Sequence, residues 1–253
     1  MPNPTTTPTP TPTLLVMTKY CSVYVNDQRL TDLAQSDMPL YAWRMWGYLL
    51  PAISLFTLPD EMSAYLKGTL ETPKLTEPKF ASYRYTVEQG ATSPVTVSLG
   101  EEYVGFELFS CHALEQVDDF GTVEPVPVTL ASYNAETGEV TLQASEEAPI
   151  PAGTVFDMDF YTDGAFENPL THDMMNILGL CFRVVWLLRF DTDWLSIVSK
   201  IEDKSFTVQN IANKERADRE TVESAIKQLN GEMRAYERKL NYNKTFPQGR
   251  GLL

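Results

Sequence analysis

The sequence predicts an α+β protein in which a helical bundle domain is interrupted by an antiparallel β-sandwich. Apolar residues recur every three or four positions in residues 37–68 and again from residue 168 onward, which is the period of a helix with one buried face. Between these regions, residues 80–166 alternate in polarity and carry frequent turn signals. With 43% hydrophobic and 21% charged residues, the 253-residue chain has the composition of a protein that folds around its own core.

The first 16 residues are predicted to form a Pro/Thr-rich arm. Proline and threonine alternate in "MPNPTTTPTPTPT", a low-complexity pattern that favours an extended and unpacked segment, with an ordered contact arm as the alternative. No basic region precedes the short apolar run "LLVM", so we expect no signal peptide.

The first helix is predicted over residues 37–56. Asp37 can cap its N-terminus, and Pro39 is tolerated in a first turn. We expect Pro51 to kink or split this helix, and a short second helix to end at Gly68. The face predicted to point into the core contains Leu40, Trp43, Trp46, Leu50 and Ile53.

Six segments of the central region are typical of strands. They read "ASYRYTV", "PVTVSL", "YVGFELFS", "VPVTLASY", "GEVTLQAS" and "TVFDMDFY". The segment "TLASYNAETGEVTL" predicts a hairpin closed at Gly138. Short strands at intervals of ~8–12 residues favour a β-sandwich.

The acidity of the chain belongs to this central region. Residues 80–170 contain 16 acidic residues and one basic residue, so they carry a charge of -15, against -14 for the whole chain. Such a module repels nucleic acid and anionic lipid. We interpret the carboxylates as a solvated surface. The alternatives are a cation site or a hydrolase or metal-dependent enzyme that uses Asp157, Asp159 and Asp163, although the order of oxygen ligands that an EF-hand requires is missing.

The most hydrophobic stretch, "MMNILGLCFRVVWLLRF" at residues 174–190, is predicted to be a buried helix. Its longest uncharged run has nine residues, whereas a membrane span needs ~20. Thr171 can cap the helix, and Leu170 can pack onto Met175. The positions predicted to face the core include Leu178, Cys181, Val185 and Leu188.

The last helix is predicted over residues 218–241. Apolar residues follow each other there at alternating intervals of four and three, which is a heptad seam that needs a partner helix. Gly231 lies inside this helix and weakens it by ~1 kcal/mol relative to alanine. The seam consists of Val222, Ile226, Leu229, Met233, Tyr236 and Leu240.

The sequence lacks a recognisable catalytic or ligand motif. Its two histidines lie in different modules and its three cysteines are scattered, so we expect no catalytic residue, no cofactor and no metal. One alternative is a DNA-binding helix-turn-helix in residues 206–229, with Ile211, Ala212, Val222 and Ile226 as its buried positions. Against it, Arg216 replaces the turn glycine, and Glu220 and Glu223 would oppose phosphate.

These patterns predict a discontinuous domain organisation. Residues 17–78 and 167–243 would form one helical domain, because each part alone is too small to bury its apolar face. Residues 79–166 would be the inserted acidic β-sandwich, and residues 244–253 a C-terminal tail.

The succession of "MWGYLLPAISLF", an insertion, "GAFENPLTHDMMNILGLCFRVVWLLRF" and a long charged helix ending in "AYERKLNYNK" resembles the head–tail connector (adaptor) proteins of tailed bacteriophages. The resemblance covers residues 37–68 and 161–245. It implies a virion structural protein of the head–tail neck that is assembled in the host cytoplasm. Such a protein would form a homo-oligomeric ring of about twelve subunits below the portal and join it to the tail. DNA would pass through its lumen without sequence-specific binding.

The resemblance also concerns the two regions outside the helices. In the family, the C-terminal extension reaches the portal, which implies contacts by Lys244, Phe246, Arg250, Leu252 and Leu253. The central insertion departs from the minimal adaptor and looks like an immunoglobulin-like domain. A different tail protein or a capsid-decorating virion protein is the nearest alternative.

Overall fold

The computed structural model describes residues 9–88, 94–116, 123–125, 128–144, 150, 152–198 and 208–245. It contains both helices and antiparallel sheets, so the predicted α+β class is confirmed. The chain divides into two compact units. Met1–Glu77 and Gly164–Leu253 form a helical unit, and Pro78–Asp163 form a β unit.

Seven α-helices and three short strands build the described part of the helical unit. The strands are β1 (Thr11–Pro12), β2 (Leu75–Thr76) and β10 (Ala165–Phe166), which form one antiparallel sheet with β10 in its middle. The helices are α1 (Thr13–Val16), α2 (Ser22–Val25), α3 (Gln28–Ser36), α4 (Met38–Leu55), α5 (Met62–Lys67), α6 (His172–Val198) and α7 (Val208–Thr245).

The predicted unpacked arm at residues 1–16 is wrong from Thr11 onward. Thr11 pairs with Phe166, and its hydroxyl accepts a hydrogen bond from the Leu170 amide at 2.9 Å. The hydroxyl of Thr13 donates to the Thr76 carbonyl at 3.1 Å, and Thr13 is fully buried. Threonine has both the β-propensity and the hydroxyl that this sheet uses, which a reading based on low complexity ignored.

The sequence reading missed the helical segment between α1 and α2. A π-helical turn, Met17–Cys21, connects them into one continuous helix. Its wider backbone spacing interrupts the regular hydrogen-bond ladder. The buried hydroxyl of Tyr41, on α4, donates to the Met17 carbonyl at 3.1 Å and lies 2.6 Å from the Ser22 hydroxyl.

The start of α4 is as predicted, but its buried face is not. Asp37 accepts a hydrogen bond from the Leu40 amide at 2.9 Å, which confirms the cap. Trp43 is exposed, and Trp46 and Leu50 are half-buried, so only Ile53 of the predicted core set is fully buried. The true face is rotated by about 100°, one residue along the helix. It consists of Tyr41, Ala42, Met45, Leu49, Ala52 and Ile53.

Pro51 does not split α4. The proline ring lies on the exposed side of the helix, while Leu49, Ala52 and Ile53 around it are fully buried. Their packing holds the helix together where the proline removes one backbone hydrogen bond. Gly68 ends α5 as predicted, with a φ of 73°.

Helix α6 is the central helix of this unit and packs against both α4 and α7. The hydroxyl of Thr171 accepts from the Met174 amide at 3.3 Å, which confirms the predicted cap. Leu178 and Cys181 are fully buried, but Val185 is only half-buried and Leu188 is exposed, because the face buried in these turns is the one that carries Val184 and Trp186. None of the described helices is long and apolar enough to span a bilayer.

Helix α7 runs without interruption from Val208 to Thr245, so the helix-turn-helix alternative is wrong: the backbone does not turn at Arg216. The buried seam of α7 differs from the predicted seam at one position. Ile226 is 38% exposed, and Ala225 is buried in its place. Val222, Leu229, Met233 and Tyr236 are buried, and Leu240 is half-buried.

The predicted C-terminal contact set lies almost entirely beyond α7. Lys244 is exposed in the last turn of the helix. Phe246, Arg250, Leu252 and Leu253 lie outside the described residues.

The β unit contains seven described strands in two antiparallel sheets. One sheet has the order β3-β9-β5-β6 and the other β4-β8-β7. Buried residues of both sheets, including Val97, Val140, Phe156 and Phe160, belong to one hydrophobic cluster. The strands are β3 (Lys79–Thr86), β4 (Val95–Ser98), β5 (Glu107–Gln116), β6 (Val123–Pro125), β7 (Val128–Asn134), β8 (Glu139–Ala144) and β9 (Val155–Thr162).

The six predicted strands are all present, but their order is not that of an immunoglobulin domain. The first strand, β3, pairs with the last, β9, and the second, β4, pairs with the second-to-last, β8. In the immunoglobulin arrangement the first strand pairs with the second and the third with the sixth. The immunoglobulin-like part of the prediction is therefore not supported by the described strands.

Candidate functional site

An apolar groove of about 580 Å³ lies between α3, α4 and the end of α6 in the helical unit. We call it the tryptophan groove. Its lining consists of Leu33, Leu40, Trp43, Arg44, Trp46, Gly47, Tyr48 and Arg189.

The groove exists because α4 is apolar on more than one face. Met45 and Leu49 fill the core, yet Leu40 and Trp43 on the other side are also apolar and are 46% and 69% exposed. A single exposed leucine needs no explanation, but contiguous exposed apolar residues mark an interaction surface. Tryptophan is among the residue types most enriched at binding hot spots.

An ordered aromatic cluster forms one wall of the groove. The Tyr48 ring meets the Trp186 ring edge-on at 5.2 Å between centroids. Phe182 stacks on Trp186 at 6.4 Å with an interplanar angle of 17°. Because Phe182 and Trp186 are buried, this wall is rigid and belongs to the core of α6.

Two guanidinium groups lie over this cluster. The Arg189 Cζ is 5.2 Å from the Tyr48 ring centroid and 5.5 Å from that of Trp186. The Arg44 Cζ lies 6.0 Å from the Trp186 centroid. These cation–π contacts hold two positive charges beside the exposed Trp43. The groove is therefore apolar with a cationic rim, in a chain whose net charge is -14.

Gly47 leaves the floor of the groove open. A Cβ atom at this position would meet no other atom within 4 Å. Glycine in the interior of a helix costs ~1 kcal/mol relative to alanine, and packing within the helical unit does not require it. Gly47 lines the groove together with Trp43 and Trp46, and the space beside it is open.

A second, smaller cavity of about 340 Å³ lies between α2, α6 and α7 and has a mixed polar and apolar lining. Its wall includes the ion pair of Lys239 with Asp173, and the Tyr24 hydroxyl donates to the Asn176 side chain at 3.5 Å. Burial raises the pKa of Tyr236, which lines the same cavity. Because acidic, basic and neutral polar groups are mixed here, the lining does not indicate one class of ligand.

The three aspartates of the enzyme alternative do not converge on a cleft. Asp157 and Asp159 lie two residues apart on the outer face of β9, and Asp163 follows the strand. Arg84 binds Asp157 through two nitrogens, at 2.6 and 3.1 Å, and this hydrogen bonding lowers the pKa of Asp157. Within the described residues, no group of three or more acidic, histidine or cysteine side chains is arranged to hold a metal ion.

The two histidines lie in different units, as the sequence predicts. Cys21 and Cys181 do not stay apart: both are buried in the helical unit, where burial and then the nearby Cys181 thiol raise the pKa of Cys21. Cys111 faces the core of the β unit, and His112 faces the other side of the strand, beside Asp157. His172 begins α6, where the Tyr20 hydroxyl lies 3.2 Å from its Nδ1. Burial raises the pKa of Cys181 to about 12 and also raises that of Cys21, so neither thiol is poised to act as a nucleophile.

The sequence reading identified Trp43 and Trp46 but assigned them to the core. It missed the groove, because Arg44 and Arg189 are distant in sequence and only the packing of α4 on α6 brings them together. One signal was available: apolar residues cover more of α4 than one packing face requires. A helix that is apolar on two faces has two surfaces to cover.

No protein-family model matches the chain, and neither a curated protein nor a solved structure is significantly similar to it.

Proposed function

We propose that the chain is a structural protein that assembles into a homo-oligomer through the tryptophan groove. The observation that carries this proposal is Trp43, which is 69% exposed next to two guanidinium groups on the rim of an apolar groove. An exposed tryptophan with adjacent arginines is the side-chain chemistry of a protein interface. A second copy of the chain is the occupant that we propose.

A ring requires two different, complementary surfaces on each subunit. We propose that the second surface is the exposed side of α7 around Ile226, which is 38% exposed. Glu223 is exposed one turn before it. An apolar side chain next to a carboxylate complements a groove that offers Trp43 and the charge of Arg44. Since α4 and α7 both pack on α6, these two surfaces belong to separate helices of one unit.

The assembly that we propose is the connector ring between the head and tail of a tailed bacteriophage. The resemblance of residues 37–68 and 161–245 to adaptor proteins supports this assignment. In it, the helical unit is the bundle that forms the ring, and the β unit is a two-sheet sandwich inserted into it. The tail that follows Lys244 would contact the portal.

The first test is the native mass of the purified chain by light scattering, with negative-stain images of the same peak. We expect a ring, formed either by the protein alone or on mixing it with its portal. Trp43→Glu should leave a folded monomer. Leu70→Glu is the matched control, because Leu70 is fully exposed but lies outside the groove. A wild-type protein that stays monomeric with the portal present, or a Trp43→Glu ring, would refute the proposal.

A charge exchange tests the pairing of the two surfaces. Arg44→Glu and Glu223→Arg should each weaken assembly, and the double variant should recover part of it. Single variants that assemble normally would exclude this particular contact. Antibody labelling of virions at the neck, rather than on the tail tip or capsid face, then tests the connector assignment separately.

A further inference from the structure

The outer face of the β3-β9-β5 sheet is a second surface with its own chemistry. The inner face of β9 contributes Phe156, Met158 and Phe160 to the core. Because side chains alternate along a strand, Asp157, Asp159 and Tyr161 point the other way. We call this outer face the β-face strip.

Three aromatic rings lie at one end of the strip. Phe80 pairs with Tyr161 across the sheet, and their rings stack at 6.5 Å with an interplanar angle of 24°. The Phe109 ring meets Tyr161 edge-on at 6.0 Å. Phe109 is 59% exposed, so this aromatic cluster is open to solvent.

A β-bulge places both Phe109 and Ser110 on this face. The register of β5 against β9 shifts between Leu108, which packs against the core, and Ser110, which faces outward. Phe109 is the additional residue. In a regular strand, Phe109 would face outward but Ser110 would point into the core and could not bind Asp159. Bulges that redirect a side chain are common next to binding sites.

Polar groups held in fixed positions continue the strip. Asp159 accepts hydrogen bonds from the hydroxyls of Ser82 and Ser110, each at 2.7 Å. A carboxylate has about four acceptor positions, so the two serines leave Asp159 with acceptor capacity. Arg84 on β3 pairs across the sheet with Asp157 on β9, and its guanidinium group donates a hydrogen bond to the Asp157 carboxylate. The strip thus offers acceptors and donors beside an apolar platform.

We propose that the β-face strip binds a neutral carbohydrate. The C–H groups on one face of a sugar ring are positively polarised and apolar, and they stack on the negative face of an aromatic ring. The hydroxyl groups at the rim of the sugar require acceptors, which Asp159, Ser82 and Ser110 supply, and donors, which are the N–H groups of Arg84 that do not bind Asp157.

The negative net charge of the β unit favours a neutral ligand over an anionic one. Residues 78–163 contain 15 acidic and two basic residues, so the unit carries a charge of -13. One of the two basic residues, Arg84, is already paired with Asp157 on the strip. Anionic glycans, nucleic acids and phosphorylated ligands are therefore repelled. This inference does not depend on assembly through the tryptophan groove.

The test is a glycan array carrying neutral, sialylated and phosphorylated glycans, probed with the full-length chain. We expect binding to neutral glycans only. Phe109→Ala and Tyr161→Ala should each weaken it by about tenfold or more, the order expected for the loss of one stacking ring. Tyr161→Phe keeps the ring and should retain binding. Val104→Ala is the matched control, because Val104 is exposed in the same unit and lies outside the strip.

Several outcomes would overturn the proposal. They are no binding to any neutral glycan, binding confined to anionic glycans, and neutral-glycan binding that Phe109→Ala leaves unchanged. Because all of the tryptophans lie in the helical unit, their fluorescence reports on that unit alone. The folding of the β unit in each variant is checked by its far-ultraviolet circular dichroism and melting temperature.

Discussion

The ring of Tyr24, on α2, lies directly against Gly179, on α6. A Cβ atom at position 179 would be 2.4 Å from Cδ2 and 2.9 Å from Cε2 of that ring. It would also be 3.2 Å from the Tyr20 carbonyl oxygen, which belongs to the backbone and cannot rotate away. The N-terminal helical segment therefore packs against α6 at a position where only glycine fits.

Gly179→Ala should destabilise the helical unit. The added methyl group displaces the Tyr24 ring and pushes on the Tyr20 backbone, which we expect to cost about 1–3 kcal/mol as other overpacking substitutions do. Urea denaturation followed by tryptophan fluorescence measures the free energy of unfolding of this unit. An unchanged midpoint would show that the two helices are farther apart than in this structure.

Gly231→Ala is the opposite case. Gly231 lies within α7 and is exposed, and a Cβ atom there would meet nothing within 4 Å. The substitution adds helix propensity without a clash, so the free energy of unfolding should increase by up to ~1 kcal/mol. The same denaturation experiment tests it. A decrease would mean that position 231 is covered by another part of the protein in solution.

The two glycines show why the sequence patterns predicted helices and strands more accurately than they predicted tertiary contacts. Both stand inside helices, and propensity alone assigns both the same cost. Only the packing of α2 on α6 distinguishes Gly179 from Gly231. The helix starts at Asp37 and Thr171 were predictable for the opposite reason, because a capping side chain acts on amides two or three residues away.

The choice of buried face was the least predictable feature of the helices. Periodicity selects a face only when the rest of the helix is polar. In α4, Trp43 and Met45 are both apolar and lie on different sides, so the sequence offered two solutions. In α7, Ala225 competes with Ile226 for the seam, and the smaller residue is the buried one. The tryptophan groove depends on the outcome of the first choice.

The buried seam of α7 predicts different effects for substitutions at neighbouring positions. Leu229 is 4% exposed, and Leu229→Asp places a charge in the contact between α6 and α7, which should cost several kcal/mol and prevent stable folding. Ile226→Asp should leave the subunit folded, because Ile226 is on the exposed side, but should weaken assembly. Melting temperature and native mass of both variants give the two readouts. An unfolded Ile226→Asp variant would show that Ile226 belongs to the buried seam, as the heptad pattern predicts.

Tyr41 should make stability fall in alkaline solution. Burial raises the pKa of Tyr41 to about 12, whereas a tyrosine in an unfolded chain ionises near 10. The folded state therefore keeps the phenol protonated after the unfolded state has lost its proton. The resulting stability is present below about pH 10 and is lost as the pH rises toward 12, by about 2–3 kcal/mol.

Tyr41→Phe should remove this part of the pH dependence. It also removes the donor to the Met17 carbonyl in the π-helical turn, which we expect to cost about 1–3 kcal/mol at neutral pH. Urea denaturation at pH 7, 10 and 11 gives both quantities. Tyr242→Phe is the control, since Tyr242 is 57% exposed and should change neither. An identical alkaline slope in wild type and Tyr41→Phe would show that other groups carry it.

Gly47 allows assembly to be separated from folding within the tryptophan groove. Because the space around its Cα is open, Gly47→Ala should stabilise α4 by up to ~1 kcal/mol and leave the groove able to accept a second subunit. Gly47→Phe is also compatible with the folded subunit, but its ring would fill part of the groove that Trp43 and Trp46 line. We therefore expect a melting temperature close to that of wild type and loss of the oligomer in light scattering. If Gly47→Phe assembles normally, the groove is not the surface through which subunits meet, and Trp43 must serve a different partner.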